Sequence, residues 1–211
     1  MPGYGRDMTD EISTASLMLH LDFTPRQKRK LLISLVQIGL DLHGVLVDGG
    51  VNNWQAGGGH HSGRKWPILF AGAMLTDLSL ASIGLDPSLL FMGEDGQTFY
   101  VQETSPGVYN HGYGGYGPQH VGLPEWGIKH ALDPSTDDVD WFADPYRVCC
   151  TANSWTGQIL AVRIMRAQAL WNHDALFDYQ DRYVQIQKQN GGSAATSRFA
   201  LDMWNAYRKA F

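Results

Sequence analysis

The chain has 211 residues, 44% of them hydrophobic, which is enough for one sizeable core and predicts a single domain over residues 1–211. Its formal net charge is −5, with a sequence pI of about 5.8, and this acidic balance disfavours nucleic-acid binding. No apolar run approaches the roughly 20 residues of a membrane-spanning helix, and residues 1–10 lack the pattern of a signal peptide, so neither is predicted.

The first two predicted helices are marked by capping residues. Thr9 or Asp10 can cap a helix that runs to about Leu21. The segment Thr24-Pro25-Arg26-Gln27 has the pattern of a capping box with proline at the first helical position, and it predicts a second helix that ends before Gly49. Apolar residues cover more than half the circumference of this second helix. We therefore expect it to be packed on two sides within a layer of helices.

The middle of the chain has one further helix and then a long irregular stretch. Pro67 begins a third helix that runs to about Ser82. From about residue 93 to residue 151 there is no sustained helical period, and Gly, Pro, Tyr and Trp are frequent. A short strand is predicted at residues 98–102. A connection this long within a compact domain is typically functional or disordered, and its aromatic content argues against disorder.

Helical periodicity returns in the last third of the chain. It predicts helices at about residues 153–172 and 174–190, and a final helix that Thr196 or Ser197 caps. The sequence thus predicts about six helices in hairpin-like succession.

The adjacent Cys149 and Cys150 are interpreted as free, buried thiols, because a disulfide between neighbours closes a strained ring. A redox pair or half of a metal site are the alternatives.

The segment from residue 52 to residue 67, NNWQAGGGHHSGRKWP, is the most informative part of the sequence. Gly57, Gly58 and Gly59 allow close approach of the backbone to a ligand, and groups that bind anions or move protons surround them. From residue 49 to residue 76 there is no Asp or Glu to neutralise Arg64 and Lys65. This pattern predicts an anion site. The alternative is a connecting loop whose His and Trp side chains cap neighbouring helices.

Three strings, GGGHHSGRKWPILFAG, DPYRVCCTANSW and WNHDALFDYQDRY, resemble a family of bacterial α/α-toroid proteins that includes alginate and glucuronan lyases. The resemblance implies an all-α fold, an α/α toroid formed as an incomplete barrel of helical hairpins with long Gly- and aromatic-rich loops. Such toroids usually have more helices than six, so the chain looks like the C-terminal portion of one. Upstream residues or a second copy would then cover an apolar helix face. The resemblance also implies a periplasmic or secreted location.

A lyase of this kind eliminates across the glycosidic bond of a uronic acid. The reaction needs a group that neutralises the carboxylate, a base that removes the adjacent proton and an acid for the leaving oxygen. The polar residues of the loops supply candidates for each need. The predicted catalytic residues are His60, His111, Tyr113, Tyr116 and Tyr146. The predicted substrate-binding residues are Asn53, Trp54, Gln55, His61, Arg64, Lys65, His120, Arg147 and Asn153. Further stacking surfaces for sugar rings are expected from Trp66, Trp126 and Trp141.

The sequence therefore predicts a polysaccharide lyase for an anionic, uronic-acid-containing polymer, with no cofactor and no resident metal. A glycoside hydrolase is one alternative, since it needs two carboxylates beside the scissile bond and the chain offers several candidates. The candidates are Glu94, Asp95, Glu103, Glu125, Asp137, Asp138 and Asp140. A zinc site built from His60, His61, His111 and His120 is another alternative, although no HExxH spacing supports it. A non-catalytic sugar-binding or assembly domain is a third.

Overall fold

A computed structural model describes residues 4–50, 54, 57–86, 88, 92–109, 116–127 and 145–211. The protein is predominantly helical. Its helices are α1 (Gly5–Met18), α2 (Pro25–Val47), α3 (Lys65–Leu75), α4 (Leu78–Ala81), α5 (Pro145–Cys150), α6 (Ala152–Ile164), α7 (Gln168–Trp171), α8 (Asp174–Gln189) and α9 (Arg198–Tyr207). Its short strands are β1 (Thr98–Tyr100), β2 (Glu103–Ser105), β3 (Val108–Tyr109) and β4 (Pro124–Trp126). In antiparallel pairs, β1 lies beside β4 and β2 beside β3.

The capping signals of the sequence are confirmed at two helices. Thr24 and Gln27 form the expected capping box at α2, in which the Thr24 backbone N–H donates to Gln27 Oε1 over 2.9 Å. At α9 the Ser197 hydroxyl accepts from the backbone N–H of Ala200 over 3.1 Å. Both signals are local, so nearby residues are enough to specify them.

Two of the predicted helices are interrupted, and one starts early. Thr76 adopts a left-handed backbone (φ 57°), which ends α3 before the predicted Ser82. Arg166 (φ 54°) likewise divides the predicted 153–172 helix into α6 and α7, and Asn172 (φ 58°) ends α7. α1 begins at Gly5, earlier than its predicted cap, because loop carbonyls accept from its first backbone N–H groups.

α6 lies at the centre of the fold and is buried on every side from Ala152 to Arg163. It contacts α1, α5, α8 and α9, and its polar side chains are hydrogen-bonded inside the protein. Thr156 donates to the carbonyl of Ala194, and Gln180 donates to the Thr156 hydroxyl over 2.7 Å. Hydrogen bonds thus reach the polar side chains of this surrounded helix, although Gln158 Oε1, Arg163 Nε and, on α8, Gln180 Oε1 have no partner among the described residues.

α2 occupies the opposite position, at the edge of the fold. It packs on α3, where a Cβ at Gly39 would lie 2.1 Å from the Pro67 carbonyl oxygen, but only Leu35 and Gly39 are buried. The expectation that α2 is packed on two sides is wrong, because one face meets α3 and the other faces solvent. Among the described helices, α2 also has the length and apolar composition to cross a membrane. The expectation that the chain has no apolar run long enough to span a membrane is therefore wrong by length and by apolar composition.

Candidate functional site

The Gly-rich loop is anchored from two sides. The first backbone N–H groups of α1 have no partner within their own helix, and they donate to the loop: Gly5 to the His60 carbonyl over 3.0 Å, and Arg6 to the Gly59 carbonyl over 2.8 Å. From the other side, Gln97 Nε2 donates to the Gly58 carbonyl over 2.8 Å. These bonds fix the backbone that carries His60.

Gly59 is needed because two other segments approach it closely. A Cβ at this position would lie 2.4 Å from the carbonyl oxygen of Cys150 and 2.5 Å from the Tyr4 hydroxyl oxygen. Contacts this short leave no room for a side chain. The glycine therefore allows α5 and the segment before α1 to meet at the loop.

The side chains that meet there are Tyr4, His60, His61, Arg64 and Tyr146, which we call the His60 cluster. The ring centroids of Tyr4 and His60 are 5.2 Å apart, edge to face, and those of His60 and His61 are 5.9 Å apart. The Tyr4 and Tyr146 side chains are hydrogen-bonded to each other. Arg64 Nη1 donates to the His60 carbonyl over 3.2 Å, which places its charge at the same loop. Three separate segments thus contribute to one partly exposed cluster.

The surroundings of the His60 cluster set the protonation states of two members. Burial, followed by the Tyr146 neighbour, raises the pKa of the Tyr4 hydroxyl, so this phenol retains its proton. Burial also lowers the pKa of His61, and the nearby Arg64 and His60 lower it further. The cluster therefore combines a phenol that can donate a proton with an imidazole that favours its neutral form.

Lys65 does not belong to the exposed part of this loop. It is 3% exposed, and its Nζ lies 2.5 Å from Asp95 Oδ2 and 2.7 Å from the Trp171 carbonyl oxygen. The sequence has no local acid for this cation, but Asp95, which is distant in sequence and adjacent in space, neutralises it. Lys65 is placed to join α3 to α7, and not to contact a polymer at the surface.

Arg147 and Asn153 also lie inside the protein. Arg147 is fully buried, with its guanidinium carbon 4.8 Å from the Trp126 ring centroid and Nη2 3.8 Å from Glu125. Asn153 Oδ1 accepts from the Tyr183 hydroxyl over 2.9 Å. Arg147 thus connects α5 to β4, and Asn153 connects α6 to α8. These interior positions separate both side chains from the accessible face of the His60 cluster.

The predicted tryptophan stacking surfaces that the structure describes are buried. Trp66 and Trp126 are 0% and 1% exposed, and Trp66 Nε1 donates to the Ser16 hydroxyl over 3.0 Å. Trp54 is 7% exposed, and the Arg64 guanidinium carbon lies 5.8 Å from its ring centroid. Trp54 thus supports the position of Arg64, while the other two belong to the core.

Tyr116 and His120 form a second cluster, on the segment that precedes β4. Their ring centroids are 5.9 Å apart, and Tyr116 also contacts Phe99 of β1 at 6.2 Å. His120 Nδ1 accepts from the Gly117 backbone N–H over 2.9 Å. Asn53, Gln55, His111, Tyr113 and Trp141 lie outside the described residues, as do Asp137, Asp138 and Asp140.

The described hydrolase candidates are mostly engaged in buried bonds. Glu94 Oε1 accepts from the Gly63 backbone N–H over 2.9 Å and from Gln158 Nε2 over 2.8 Å. Burial raises the pKa of Glu94, and these two hydrogen bonds oppose that rise. Asp95 pairs with Lys65, and Glu125 pairs with Arg147 and Arg182. Glu103, by contrast, is exposed and accepts from the Gly107 backbone N–H over 3.0 Å.

The cysteines differ from the sequence interpretation. Cys149 and Cys150 are joined in a disulfide at the end of α5, and Cys149 is exposed, so the expectation of free, buried thiols is wrong. Within the described ranges, no group of three or more His, Cys, Asp or Glu side chains is arranged to hold a metal ion.

Sequence reasoning did not include Tyr4 and Arg6 in the site. Arg6 Nη1 donates to the Cys149 carbonyl over 3.4 Å, and its guanidinium carbon lies 5.2 Å from the Tyr4 ring centroid. No local motif marks either residue, since their role depends on α1 docking against a loop that lies far along the chain.

Comparisons with family models, with curated proteins and with solved structures give no significant match.

Proposed function

We propose that the chain forms part of an α/α toroid and acts as a polysaccharide lyase on a uronic-acid-containing polymer of the alginate or glucuronan type. The observation that carries the proposal is the convergence of Tyr4, His60, Arg64 and Tyr146 from three segments onto one anchored glycine loop. These are the residue types that a β-elimination requires. The predominantly helical content of the described residues supports the toroid part of the proposal.

In the proposed reaction, Arg64 neutralises the carboxylate of the sugar and makes the neighbouring C5–H more acidic. The exposed His60 imidazole removes that proton, and the electron pair forms the C4=C5 double bond as the C4–O4 bond breaks. The Tyr4–Tyr146 pair supplies a proton to the leaving oxygen, and the raised pKa of Tyr4 keeps that phenol protonated before the reaction. Roles for His111, Tyr113 and Tyr116 in completing the substrate cleft stay predictions.

Two observations favour elimination over hydrolysis. Glu94, Asp95 and Glu125 are buried and hydrogen-bonded or ion-paired, whereas a hydrolase needs two carboxylates on either side of the scissile bond. The His60 cluster instead presents imidazole, phenol and guanidinium groups. The interior positions of Lys65, Arg147 and Asn153 remove three predicted substrate-binding groups, which weakens the lyase and a sugar-binding domain alike. A non-catalytic sugar-binding domain is the second candidate function.

The test is the appearance of the unsaturated-uronate chromophore when the purified chain is incubated with alginate or glucuronan. We expect a rise in absorbance that falls by about 10²-fold or more in His60→Ala and in Tyr146→Phe, because each change removes a proton-transfer group. His43→Ala, a histidine of α2 away from the cluster, serves as the matched control and should retain activity. Polymer binding without a chromophore would support the sugar-binding domain, and new reducing ends without a chromophore would support a hydrolase.

A further inference from the structure

The solvent-facing side of α2 carries a regular stripe. Residues 26, 30, 33, 37, 40, 44 and 47, at alternating spacings of four and three, are all exposed. Ile33, Leu40 and Val47 recur every seventh position on this stripe, and they are 57%, 37% and 70% exposed. Gly44 lies between the last two, and a Cβ there would have no atom within 4 Å. This spacing is the one that lets two helices pack side by side, and the glycine lets their backbones approach closely.

The charges of α2 are separated between its two ends. Arg26, Lys28, Arg29 and Lys30 occupy its first turns, where no acid is present, and they form no ion pair with a described residue. Cations at a helix N-terminus oppose the helix dipole, so their own helix does not account for them. The other end carries Asp48, which is also exposed. The exposed side of α2 is therefore positive over its first turns and negative towards its C-terminal end, where Asp41 and Asp48 lie.

We propose that α2 is the interface of a twofold-symmetric homodimer in which the α2 helices of two copies pair antiparallel. With the twofold axis near Gln37, Ile33 of one copy meets Leu40 of the other, and Arg26 faces Asp48. A parallel pairing would place the four cations of both copies together and is disfavoured by their repulsion. The helix is about 34 Å long at 1.5 Å per residue, which gives several layers of contact.

The surface at the positive end of α2 contains a hollow. The hollow has a volume of about 300 Å³ and is lined by Arg26, Arg29, Lys30, Ile33 and Ser34. In the antiparallel arrangement it lies opposite the C-terminal end of the partner helix, which presents Val47 and Asp48. The most exposed apolar side chain of α2 thus enters a hollow rimmed by cations, and the following carboxylate meets those cations.

The first experiment measures the association of the full chain by sedimentation equilibrium over a range of concentrations. We expect a dimer, and we expect Leu40→Glu to raise its dissociation constant by about a hundredfold or more, because a charge is buried in both copies. Leu85→Glu, at a leucine that is 63% exposed outside α2, is the matched control and should leave the dissociation constant unchanged.

A charge exchange tests the antiparallel geometry itself. Arg26→Asp and Asp48→Arg should each raise the dissociation constant by about tenfold, because each change creates two like-charge contacts across the twofold axis. The double variant should restore the wild-type value. Both single changes suit the dipole of their own helix end, so loss of association cannot be attributed to unfolding of α2.

Four results would overturn the proposal. The first is a wild-type chain that stays monomeric at every concentration, and the second is a double variant that fails to regain association. The third is a monomer that sediments with phosphatidylserine-containing vesicles but not with phosphatidylcholine vesicles, which would assign the face to an anionic membrane surface. Loss of association in the Leu85→Glu control to the same degree would overturn it as well.

Discussion

α6 and α2 are both apolar helices in sequence, yet one forms the centre of the fold and the other its edge. α6 is buried from residue 152 to residue 163, and its polar side chains are bonded to neighbouring elements. α2 has only Leu35 and Gly39 buried, and its exposed side carries polar side chains together with the apolar Ile33, Leu40 and Val47. The comparison teaches that apolar content alone does not decide burial, since burial requires partners on each face.

The largest expected difference between the two helices is the effect of shortening a leucine. Leu160 of α6 is fully buried, and Leu40 of α2 is 37% exposed. Leu160→Ala should lower the free energy of unfolding by about 2–5 kcal/mol, because it removes buried methyl groups and leaves a cavity. Leu40→Ala should change it by less than about 0.5 kcal/mol.

Urea denaturation at low protein concentration measures both effects without a contribution from association. Equal losses in the two variants would mean that α2 is covered within a single copy, which would remove the distinction between the helices. A loss at Leu40 that grows with protein concentration would instead connect this position to self-association.

The second difference concerns glycine. Replacing a glycine with alanine is expected to lower the stability of the protein in α6 and to raise it in α2. At Gly157 of α6 an added Cβ would lie 2.8 Å from Ser13 Cβ and 3.0 Å from Ala200 Cβ, whereas at Gly44 of α2 it would meet nothing within 4 Å. Gly157→Ala should therefore destabilise the protein by about 1–3 kcal/mol through overpacking against α1 and α9. Gly44→Ala should stabilise it by up to about 1 kcal/mol, because alanine has the higher helix propensity.

Thermal unfolding of both glycine variants checks the two signs side by side. If Gly157→Ala were neutral, α1 and α9 could move apart at no cost, and the close packing around α6 would not determine its position. If Gly44→Ala were destabilising in the monomer, the space outside α2 would not be open.

Features that depend on residues close together in the sequence could be predicted, whereas features that depend on distant segments could not. The capping box at Thr24 and the Ser197 cap involve residues three positions apart, and both are confirmed. The pairing of Lys65 with Asp95 and the docking of Tyr4 against His60 join distant segments, and no local pattern encodes either. Composition thus predicts a site at the glycine loop, whereas the neighbours of that loop, including α1, depend on the tertiary fold.

The exposed face of α2 was missed for a related reason. Periodicity shows that a helix has apolar residues on two sides, but it cannot show whether a partner covers both. The same limit applies to the cysteines, whose adjacency fits either free thiols or the disulfide that the structure contains.

The smallest expected effects concern the polar groups of the two helices and depend on pH. Gln158 of α6 donates to the buried Glu94, while Gln37 of α2 donates to the exposed Asp41 over 2.8 Å. Because burial raises the pKa of Glu94, the folded protein binds this proton more tightly than the unfolded chain. The resulting contribution to stability is fully present below the ordinary pKa of 4.5 and is lost as the pH rises through the folded-state value.

Glu94→Gln keeps an oxygen that can accept from Gly63 and removes the titration. We expect this variant to be more stable than the wild type at pH 7, with the difference shrinking as the pH falls to about 4, near the ordinary range for Glu. Asp41→Asn on α2 is the control and should change stability by less than about 0.5 kcal/mol at either pH. Urea denaturation at both pH values measures the differences. A destabilised Glu94→Gln at pH 7 would contradict the burial argument, because it would mean that hydrogen bonds to the ionised carboxylate outweigh the cost of burying its charge.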